Sequence, residues 1–594
     1  MGFSTDDLEQ AVAWQNEGRL DDAEAVYRRV LAEDPANVQA IHLMGGIACA
    51  RSDWDRARDC FERAIALDPG NGIFHNSLGV ALRRLGRLKE ALDAVSRATE
   101  LAPRSAAVWA HLGRIRTRAN QFWAAAEAWR RAHELDPKDP NALAQLGRVL
   151  CFAGRMEEGI ATMRQAVQRH PEIPVLHSNL LMALHYTREL SAEERLSEHV
   201  EWARRHEKPC RQNYPNDRSP ARRLRIGYVS PDFRSHSVAF FFEPLLAAHD
   251  PAEVEIFCYP VLENPDEVSR RIQAKASHWH SIEELSDAQA VDLIRSHQID
   301  VLVDLAGHTS QRLALFAHRP APCQTSYLGY PSTTGLSAMA YRLTDEYTDP
   351  PGADAAYTET LIRLDSGFLC YQPPMDAPDV AAAPARLGKG ITFGCFANRF
   401  KMSEQVMELW ARILGDSPGS RLLLKFRAAA DKPSHREVLA FFRNRGIDPS
   451  RIVVIPLAPA RSAHLDLYRN VDIALDTFPY SGVTTTMEAL WMGVPVLTLA
   501  GSAHVSRTTG GILHRLGLTQ WVTESPEQYV ARAAQFAKHP ETFTSLRGQL
   551  RGMFRESGLL DGRRLARSVE RAYREMWTRW LTGERNPEFC AMRR

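Results

Sequence analysis

Apolar and polar positions divide the chain into two regions with different periods. Through roughly the first third, apolar residues follow the spacing of amphipathic helices. From Leu224 onward they form short apolar runs such as LRIGYVS and VEIFCYPV, and helix-like segments such as AQAVDLIRSHQ lie between these runs. The pattern predicts an all-helical first region followed by a region in which strands and helices alternate.

The helical region repeats with a period of 34 residues. Five segments begin at positions 18, 52, 86, 120 and 154, and each has a small residue at the same place and ends at a proline. A small residue lets two helices approach closely, and proline cannot continue a helix. The small residues are Ala23, Ala57, Ala91, Ala125 and Gly159, and the prolines are Pro35, Pro69, Pro103, Pro137 and Pro171. The array resembles tetratricopeptide repeats, which stack into a superhelix with a concave binding groove.

The boundaries of the predicted domains follow from these patterns. Residues 1–185 form the superhelix of five repeats and a degenerate one, and 186–222 form a helical linker. The strand–helix alternation predicts two parallel sheets, covered on both faces and separated by a cleft. The first sheet region covers 223–372 and the second covers 389–560, with a Pro/Ala-rich linker at 373–388 between them. A C-terminal helix and tail occupy 561–594.

Composition excludes several classes of protein. Lys and Arg total 73 against 72 Asp and Glu, so the net charge of +1 gives no reason to expect a nucleic-acid or membrane partner. No run approaches the ~18 apolar residues of a membrane span. The nine cysteines contain no C-x-x-C pair, which fits a reducing compartment. We therefore expect a cytoplasmic protein.

One loop of the second sheet region has the composition of an anion site. In DIALDTFPYSGVTTTMEALWMGVPVL, residues 472–497, Gly482 and Thr484 to Thr486 lie between a strand-like and a helix-like run. Backbone N–H groups, hydroxyls and the helix dipole would converge there on a phosphate. The alternative is that Thr484 only caps the helix, which needs no ligand. Neither a P-loop nor a G-x-G-x-x-G motif opening a helix is present.

Several long motifs in this order, together with the repeats, resemble the O-GlcNAc transferase / SPINDLY family. They are LRIGYVSPDFRSHSV, LVDLAGHT, HRPAPCQTSYLGYPSTTG, FANRFK and LDTFPYSGVTTTMEALWMGVPVLTLAG. The resemblance covers nearly the whole chain. It implies a two-Rossmann (GT-B) catalytic region that transfers one sugar from a nucleotide donor to Ser or Thr hydroxyls of intracellular proteins. It also implies inversion at the anomeric carbon without a metal or other cofactor.

The same resemblance implies roles for individual residues. Lys401 matches a lysine at the donor diphosphate, and His236 matches a histidine facing sugar and acceptor. Asp292 matches an aspartate proposed to relay the acceptor proton, whereas Arg295 stands where the family has a second histidine. The implied catalytic residues are His236, Asp292 and Lys401; the nucleotide-sugar site is Asn398, Lys401, Arg461, His464, Thr484, Thr485, Thr486 and Glu488; the sugar pocket is His308, Leu328, Gly329 and Pro331.

Donor, acceptor and activity each leave alternatives open. UDP-GlcNAc is favoured narrowly as the donor. GDP-fucose is the alternative, because the segments FLCY and SRLLLK, which contains Lys425, resemble the SPINDLY branch that uses it. Protein or peptide acceptors held by the repeat groove are the expected partners, with a possible homodimer. The second hypothesis is a repeat scaffold with an inactive transferase region. It predicts that charged site residues have been lost, whereas Lys401, His236 and Glu488 are all present. A lipid- or glycan-modifying enzyme would need a membrane-docking segment, which the sequence lacks.

Overall fold

The computed structural model describes residues 5–187, 190–207, 213–388, 390–458 and 460–583. The chain divides into two compact units: Met1–Gln165 with Ala430–Ser434, and Ala166–Ala429 with His435–Arg594. The first unit is built from helices, and the second contains two parallel sheets. This confirms the predicted fold class.

Pairs of antiparallel helices form the first unit, and α10 continues past its boundary at Gln165. The helices are α1 Thr5–Asn16, α2 Leu20–Glu33, α3 Val38–Ala50, α4 Trp54–Leu67, α5 Gly72–Arg84, α6 Leu88–Leu101, α7 Ala106–Arg118, α8 Phe122–Leu135, α9 Pro140–Ala153 and α10 Met156–Arg169. Side-chain caps begin the first helix of successive repeats; the Asn37 side chain, for example, accepts a hydrogen bond from the backbone N–H of Ala40.

Close approach between the two helices of a repeat explains the recurring small residues. Ala23, Ala57 and Ala91 have no exposed surface. At Gly79, a Cβ atom would lie 2.1 Å from a methyl carbon of Val95, so no larger residue fits without displacement of the facing helix. The small residues are therefore set by packing between α-helices, as the sequence pattern predicts.

Two further helices, α11 Pro174–Leu184 and α12 Ala192–His206, belong to the second unit. A capping box at Ser191 and Glu194 begins α12. Trp202 of α12 is 1% exposed and packs in the same apolar cluster as Val229 of the first sheet. The compact units therefore divide within α10, not at residue 185, because these helices cover the sheet.

The first sheet has strand order β3-β2-β1-β4-β5-β6-β7, and every strand pair is parallel. Its strands are β1 Leu224–Ser230, β2 Val254–Pro260, β3 His278–Trp279, β4 Val301–Asp304, β5 Cys323–Ser326, β6 Tyr341–Thr344 and β7 Thr360–Arg363. The helices between them are α13 Ser237–Ala248, α14 Glu267–Gln273, α15 Asp287–Ser296 and α16 Leu313–Ala317. Strands β4 and β5 are buried at every residue, as expected for a sheet covered on both faces.

The second sheet has strand order β10-β9-β8-β11-β12-β13 and is also parallel. Its strands are β8 Thr392–Cys395, β9 Arg421–Lys425, β10 Ile452–Ile455, β11 Ile473–Leu475, β12 Val496–Leu499 and β13 Val522–Thr523. The accompanying helices are α17 Glu404–Asp416, α18 Lys432–Arg443, α19 Arg461–Asp466, α20 Thr484–Trp491, α21 His504–Arg515, α22 Pro526–Lys538, α23 Glu541–Thr544, α24 Leu546–Glu556 and α25 Gly562–Thr582.

The last helix, α25, returns to the first sheet. It packs on α13 and on strands β4 and β5. The hydroxyls of Tyr573 and Tyr228 lie 3.0 Å apart, and both side chains are fully buried. Cys323 of β5 donates its thiol to the carbonyl of Met576 at 3.4 Å. The predicted C-terminal helix is thus part of the core of the first sheet region.

The described part of the fold contains free cysteines and no membrane-spanning helix. The cysteines in the described part of the chain, Cys49, Cys60, Cys151, Cys258, Cys323, Cys370 and Cys395, are free thiols. Cys210 and Cys590 lie outside the described residues. No helix of the described ranges is both long enough and apolar enough to cross a bilayer.

Candidate active site

The second sheet reverses its strand order between β8 and β11. From β8 the chain proceeds through β9 to β10, then returns to place β11 on the other side of β8. Loops that follow two such neighbouring strands diverge and leave a crevice at their carboxyl ends, where ligands of open parallel sheets bind. Lys401 follows β8, and the threonine loop follows β11. The topology therefore brings these two predicted phosphate-binding segments to one crevice.

Lys401 is held in the crevice by backbone and aromatic contacts. Its ammonium Nζ donates to the carbonyl of Ser481 at 3.0 Å and lies 3.9 Å from the ring centre of Tyr480. Burial lowers the pKa of Lys401 to about 8, although the Asp476 carboxylate opposes the shift. Lys401 is nevertheless partly exposed, so its ammonium can also contact a ligand in the crevice.

Tight packing shapes the threonine loop. Gly482 donates its N–H to Oδ1 of Asp476 at 2.8 Å. A Cβ at Gly482 would lie 2.5 Å from the hydroxyl of Thr486, which in turn is 3.0 Å from the hydroxyl of Thr509. Glycine is needed here because there is no space for a side chain. The loop is thus fixed before any ligand binds.

The first turn of α20 leaves polar groups without partners. Val483 precedes the helix with φ −125° and ψ −76° and supplies no side-chain cap. Thr484 and Thr485 are partly exposed, and within the described ranges their hydroxyls have no hydrogen-bond partner. The first N–H groups of a helix have no partner inside it. Hydroxyls, N–H groups and the positive end of the helix dipole therefore converge at this turn, as binding of an anion requires. Anion binding here stays a prediction.

Asp476 was not identified from the sequence. Its carboxylate is 7% exposed and accepts hydrogen bonds from Gly482 N–H and from the Thr498 hydroxyl at 2.8 Å. Burial raises its pKa, and these donors together with Lys401 oppose that shift. The only signal in the sequence was its position at the end of the strand-like run DIALD, directly before the threonine loop. Asp476 fixes the threonine loop and balances the charge of Lys401.

The crevice continues as an open pocket beside these residues. It is lined by Phe396 and Ala397 after β8, by Tyr468, and by Thr485 and Thr486 of α20. Asn398 lies at its rim with an exposed side chain, and its carbonyl accepts the backbone N–H of Lys401 at 3.0 Å. Through this backbone bond Asn398 positions the lysine.

Glu488 joins two further predicted residues into one cluster. Its carboxylate is 2.9 Å from Nε2 of His464 and 3.7 Å from Nε of Arg461. Nδ1 of His464 is buried without a hydrogen-bond partner in the described structure. Burial lowers the pKa of Lys425 to about 8, and Glu488 opposes this shift. The cluster offers ligand-binding groups of both charges next to the pocket.

Arg461 also connects the two sheets. Its guanidinium carbon lies 3.6 Å from the ring centre of Phe240 in α13, and its Nη2 donates to the hydroxyl of Tyr371 at 2.9 Å. Phe240 and Tyr371 belong to the first sheet region, so Arg461 forms a contact between the two sheet regions next to the Glu488 cluster.

The first sheet reverses its strand order between β1 and β4, and His236 follows β1 at this point. Nδ1 of His236 lies 3.3 Å from the N–H of Val238 and 3.3 Å from Oδ1 of Asp232. It can accept from Val238 or, when it carries the proton, donate to Asp232, so the two contacts correspond to two tautomers. The second tautomer has a free lone pair on Nε2, as a general base requires.

Burial perturbs both members of this pair. It lowers the pKa of His236, with Asp232 opposing the shift, and it raises the pKa of Asp232, with His236 opposing that shift. Asp232 was missed by the sequence analysis, although it stands four residues before His236 in SPDFRSH. The pair is therefore the acid–base candidate of the first sheet region.

Asp292 is not brought together with His236. It lies on α15 with 80% of its side chain exposed, and the nearest charged group is Arg295 at 3.9 Å. Because α15 runs back toward the amino end of β4, Asp292 lies on the far half of the helix from the strand ends. The proton-relay role implied by the resemblance stays a prediction that this arrangement does not favour.

The LGYP segment follows β5 in a strained conformation. Leu328 has φ +73°, a left-handed value that is uncommon for a side chain of this kind. A Cβ at Gly329 would lie 1.9 Å from the carbonyl oxygen of Leu305. Leu328, Gly329 and Pro331 are all partly exposed at the carboxyl ends of the strands. Their position is compatible with lining a sugar pocket, and that role stays a prediction.

His308 lies deeper than a pocket residue would. It is 2% exposed, its Nε2 donates to the carbonyl of Thr334 at 2.9 Å, and its Nδ1 accepts from the hydroxyl of Ser178 at 3.0 Å. Both ring nitrogens are bonded to protein, so neither is available to a sugar in this arrangement. The sugar-contact role of His308 stays a prediction.

A buried histidine cluster connects α11 and α12 to the LGYP segment. His199 donates from Nδ1 to the carbonyl of Arg195 at 2.5 Å, so its Nε2 accepts the Tyr330 hydroxyl proton at 2.6 Å. Tyr330 Oη then accepts from Nε2 of His185 at 3.2 Å. These bonds require neutral rings and fix the tautomer of each. The cluster holds Tyr330, and with it the LGYP segment, in place.

The cluster predicts a loss of stability in acid. Burial lowers the pKa of His199 from its ordinary 6.5 to about 4, and it also lowers the pKa values of His185 and His308 well below their usual range. A histidine with a depressed folded-state pKa stabilises the fold above its unfolded pKa, and this stability is lost as the pH falls from about 6.5 toward 4. His199 alone is expected to contribute about 3 kcal/mol of this loss.

Melting temperatures recorded between pH 7 and pH 4.5 should fall steeply in the wild type and less steeply in His199→Gln. Equal slopes would contradict the assignment.

Searched over the described ranges, the structure contains no group of three or more His, Cys, Asp or Glu side chains able to hold a metal ion. The predicted absence of a metal in catalysis stays a prediction.

Two family models match the chain, one over the sheet regions and one over the repeat region. The family model described as glycosyl transferase family 41 matches residues 152–372 and 385–569. A second model, of the cilia and flagella-associated protein 70 C-terminal domain, matches residues 7–213, the repeat region.

Individual relatives agree with the family match. A probable UDP-N-acetylglucosamine–peptide N-acetylglucosaminyltransferase SPINDLY from Solanum lycopersicum is 37% identical over 68% of this chain and 44% of its own length. The corresponding SEC protein of Arabidopsis thaliana is 31% identical over 62% of this chain and 38% of its own. The matches therefore span less than half the length of these curated relatives. A solved mutant of the Thermobaculum terrenum O-GlcNAc transferase is 35% identical and has a TM-score of 0.81, covering 86% of this chain and 98% of that one.

Proposed function

Because the chain belongs to glycosyl transferase family 41, we propose that it transfers a single sugar from a nucleotide donor to Ser or Thr hydroxyls of proteins. The names of its relatives support peptide acceptors and a UDP-GlcNAc donor. The observation that carries the proposal is the ammonium of Lys401, which donates to the carbonyl of Ser481 three residues before the first turn of α20, where no side chain caps the helix.

The donor diphosphate is assigned to this turn. Its oxygens would accept hydrogen bonds from the hydroxyls of Thr484 and Thr485 and from the first N–H groups of α20, and Lys401 would approach from the β8 side. Negative charge on the diphosphate grows as the glycosidic bond breaks. Fixed donors and a cation in a site of low polarity stabilise that charge without reorganising. This arrangement can perform the chemistry without a metal.

Ribose and base are assigned to the adjoining cluster. The Glu488 carboxylate can accept from ribose hydroxyls, and Nδ1 of His464, which has no partner in the described structure, is free to bond to the ribose or base. Arg461, beside Glu488, contacts Phe240 of the first sheet region and would lie next to the bound nucleoside.

The acceptor is assigned to the first sheet region. In the tautomer that donates Nδ1–H to Asp232, His236 has a free Nε2 lone pair that can take the proton of an attacking Ser or Thr hydroxyl. Attack from the His236 side, with departure of the diphosphate toward Lys401 on the other side, is a direct displacement. We therefore infer inversion at the anomeric carbon.

The test of function is sugar transfer itself. The protein is incubated with lysate proteins and either UDP-GlcNAc or GDP-fucose, and intact masses are recorded. Mass increments of N-acetylhexosamine with UDP-GlcNAc alone are expected. Mass increments of deoxyhexose with GDP-fucose alone would show that the donor is GDP-fucose and not UDP-GlcNAc. No increment with either donor would favour the inactive scaffold.

Donor binding is expected to survive removal of divalent metal. Lys401 and the threonine loop supply the positive groups that a metal would otherwise provide. Calorimetric titration of the donor nucleotide should give the same Kd, within about twofold, with EDTA and with Mg²⁺. A Kd that rises tenfold or more in EDTA would contradict metal-independent binding.

A further inference from the structure

His504 begins α21, the helix that follows β12 and is bonded to the threonine loop. In its first turn, the carbonyl of Val505 accepts hydrogen bonds from the backbone N–H of Ser481 at 3.0 Å and from the Ser481 hydroxyl at 2.8 Å. The hydroxyl of Thr509, one turn further along, donates to the carbonyl of Gly482 at 2.7 Å. Because these groups are close-packed, the position of α21 sets the position of the threonine loop.

The side chain of His504 is bonded to the other sheet region. It is 7% exposed, and its Nδ1 donates to Oδ2 of Asp349 at 2.7 Å. Asp349 is buried in the loop that follows β6, where it also accepts from the hydroxyls of Tyr357, at 2.7 Å, and Thr344. Although burial opposes the shift, His504 and Arg342 hold the pKa of Asp349 well below its usual range. The ionised carboxylate can only accept, so Nδ1 of His504 carries the proton.

Arg342 extends this contact to the LGYP segment. It lies on β6, is buried, and donates from Nη2 to the carbonyl of Tyr330 and from Nη1 to the carbonyl of Ser332, each at 2.9 Å. Pro331 stands between these two carbonyls. Nη2 also lies 3.5 Å from Nε2 of His504, which in the neutral ring has a lone pair able to accept. One histidine ring thus contacts both the loop after β6 and the arginine that holds the LGYP segment.

A second contact joins the far end of α21 to the same loop and provides a comparison. Nη2 of Arg515, in the last turn, lies 3.5 Å from the carboxylate of Asp345, and its Nη1 donates to the carbonyl of Ser366 at 3.0 Å. The Arg515 side chain is partly exposed. Arg515 therefore joins the same two sheet regions about 16 Å along the helix from His504 and from the turn that is bonded to the threonine loop.

We propose that His504 is a positioning residue for sugar transfer, which keeps the threonine loop and the LGYP segment at one fixed separation. Placing the diphosphate at the loop and the sugar at the LGYP segment rests on the proposed function. A donor held at both ends has its anomeric carbon between them, and a displacement of about 1 Å there can cost about 10²-fold in rate. His504 acts on the chemical step through Asp349 and Arg342, and not through contact with the donor.

The kinetic test compares turnover with binding of the donor's nucleoside diphosphate, UDP or GDP. In the full chain, His504→Leu is expected to lower kcat about 10- to 100-fold. The calorimetric Kd of the diphosphate, which is assigned to the second sheet region alone, should change less than about twofold. His504→Asn keeps an N–H in the place of Nδ1 and is expected to lie within about fivefold of wild type. Arg515→Gln, the matched control, is expected to change kcat less than about twofold.

Combination with Asp349→Asn shows whether His504 acts through Asp349. If it does, His504→Leu/Asp349→Asn is about as slow as the slower single variant, whereas independent roles give losses that multiply. Should His504→Leu not fold, Asp349→Asn, which leaves the ring in place, is expected to show the same split between kcat and Kd. Multiplying losses, equal losses in kcat and in diphosphate affinity, or a loss in Arg515→Gln as large as that in His504→Leu would overturn the positioning role.

Amide hydrogen exchange tests the contact without any sugar transfer. In His504→Leu, exchange is expected to quicken at least about tenfold in residues 345–349 and 503–506, on the two sides of the contact. It should stay unchanged in residues 481–486, which Val505 and Thr509 still hold. Unchanged exchange on both sides of the contact would overturn the inference even in an active transferase. A wild type that transfers no sugar would refute the proposed function, and quickened exchange would still show that His504 joins the two regions.

Discussion

Replacing Lys401 with alanine is expected to lower kcat by about 10²- to 10³-fold while weakening donor binding much less. Its ammonium lies on the carbonyl of Ser481 and over the ring of Tyr480, beside the first turn of α20. Charge on the leaving diphosphate is greatest in the transition state, so the loss falls mainly on the chemical step. Turnover with a fixed acceptor and donor Kd from calorimetry check this.

A matched control and a second readout separate a catalytic lysine from a structural one. Lys432 is exposed, and Lys432→Ala is expected to match wild type in turnover. A folding role for Lys401 would lower the melting temperature together with both kinetic constants. Near wild-type turnover in Lys401→Ala would remove the residue from the mechanism.

Replacing His236 with asparagine is expected to lower kcat by about 10²- to 10⁴-fold and to leave donor Kd nearly unchanged. The side chain follows β1 and contacts Asp232, whereas the nucleotide groups are assigned to the second sheet. Asparagine keeps the polar shape and can still accept from the N–H of Val238, but it cannot take a proton. Single-turnover rates with saturating donor provide the measurement.

Asp232→Asn supplies the partner test. An amide in place of the carboxylate no longer favours the tautomer with a free Nε2 lone pair, so turnover is expected to fall, though less than in His236→Asn. Asp292→Asn is the comparison for the alternative relay, since Asp292 is exposed and its ion pair is with Arg295. A large loss in Asp292→Asn with normal turnover in Asp232→Asn would transfer the proton relay to Asp292.

The repeat array and the threonine loop could be predicted because each leaves a local signal. A period of 34 residues fixes the helix pairs, and Gly482 before three threonines indicates a strand-to-helix turn with free donors. The resemblance to a known family placed Lys401, but its contact with Tyr480 depends on β8 and β11 being neighbours. That adjacency is a property of the sheet order, which no local pattern contains.

Contacts over long sequence distances account for what the sequence did not reveal. Asp476 reads as the end of a strand, and its part in holding the loop emerges only when Gly482 and Thr498 fold back on it. His308 matched a motif, yet its ring is bonded to Ser178 of a helix assigned to the repeats. Strands β5 to β7 are short, and polar loops rich in Thr and Asp separate them, so their apolar runs do not stand out.

The return of α25 to the first sheet affects how the chain folds during synthesis. Strands β1 and β4 leave the ribosome long before the helix whose Tyr573 and Met576 complete their surroundings. Until the end of α25 at Thr582 has emerged, the apolar face that it covers is open to water and to chaperones. Nascent chains, and chains cut within α25, therefore leave this apolar face uncovered, which favours aggregation and degradation.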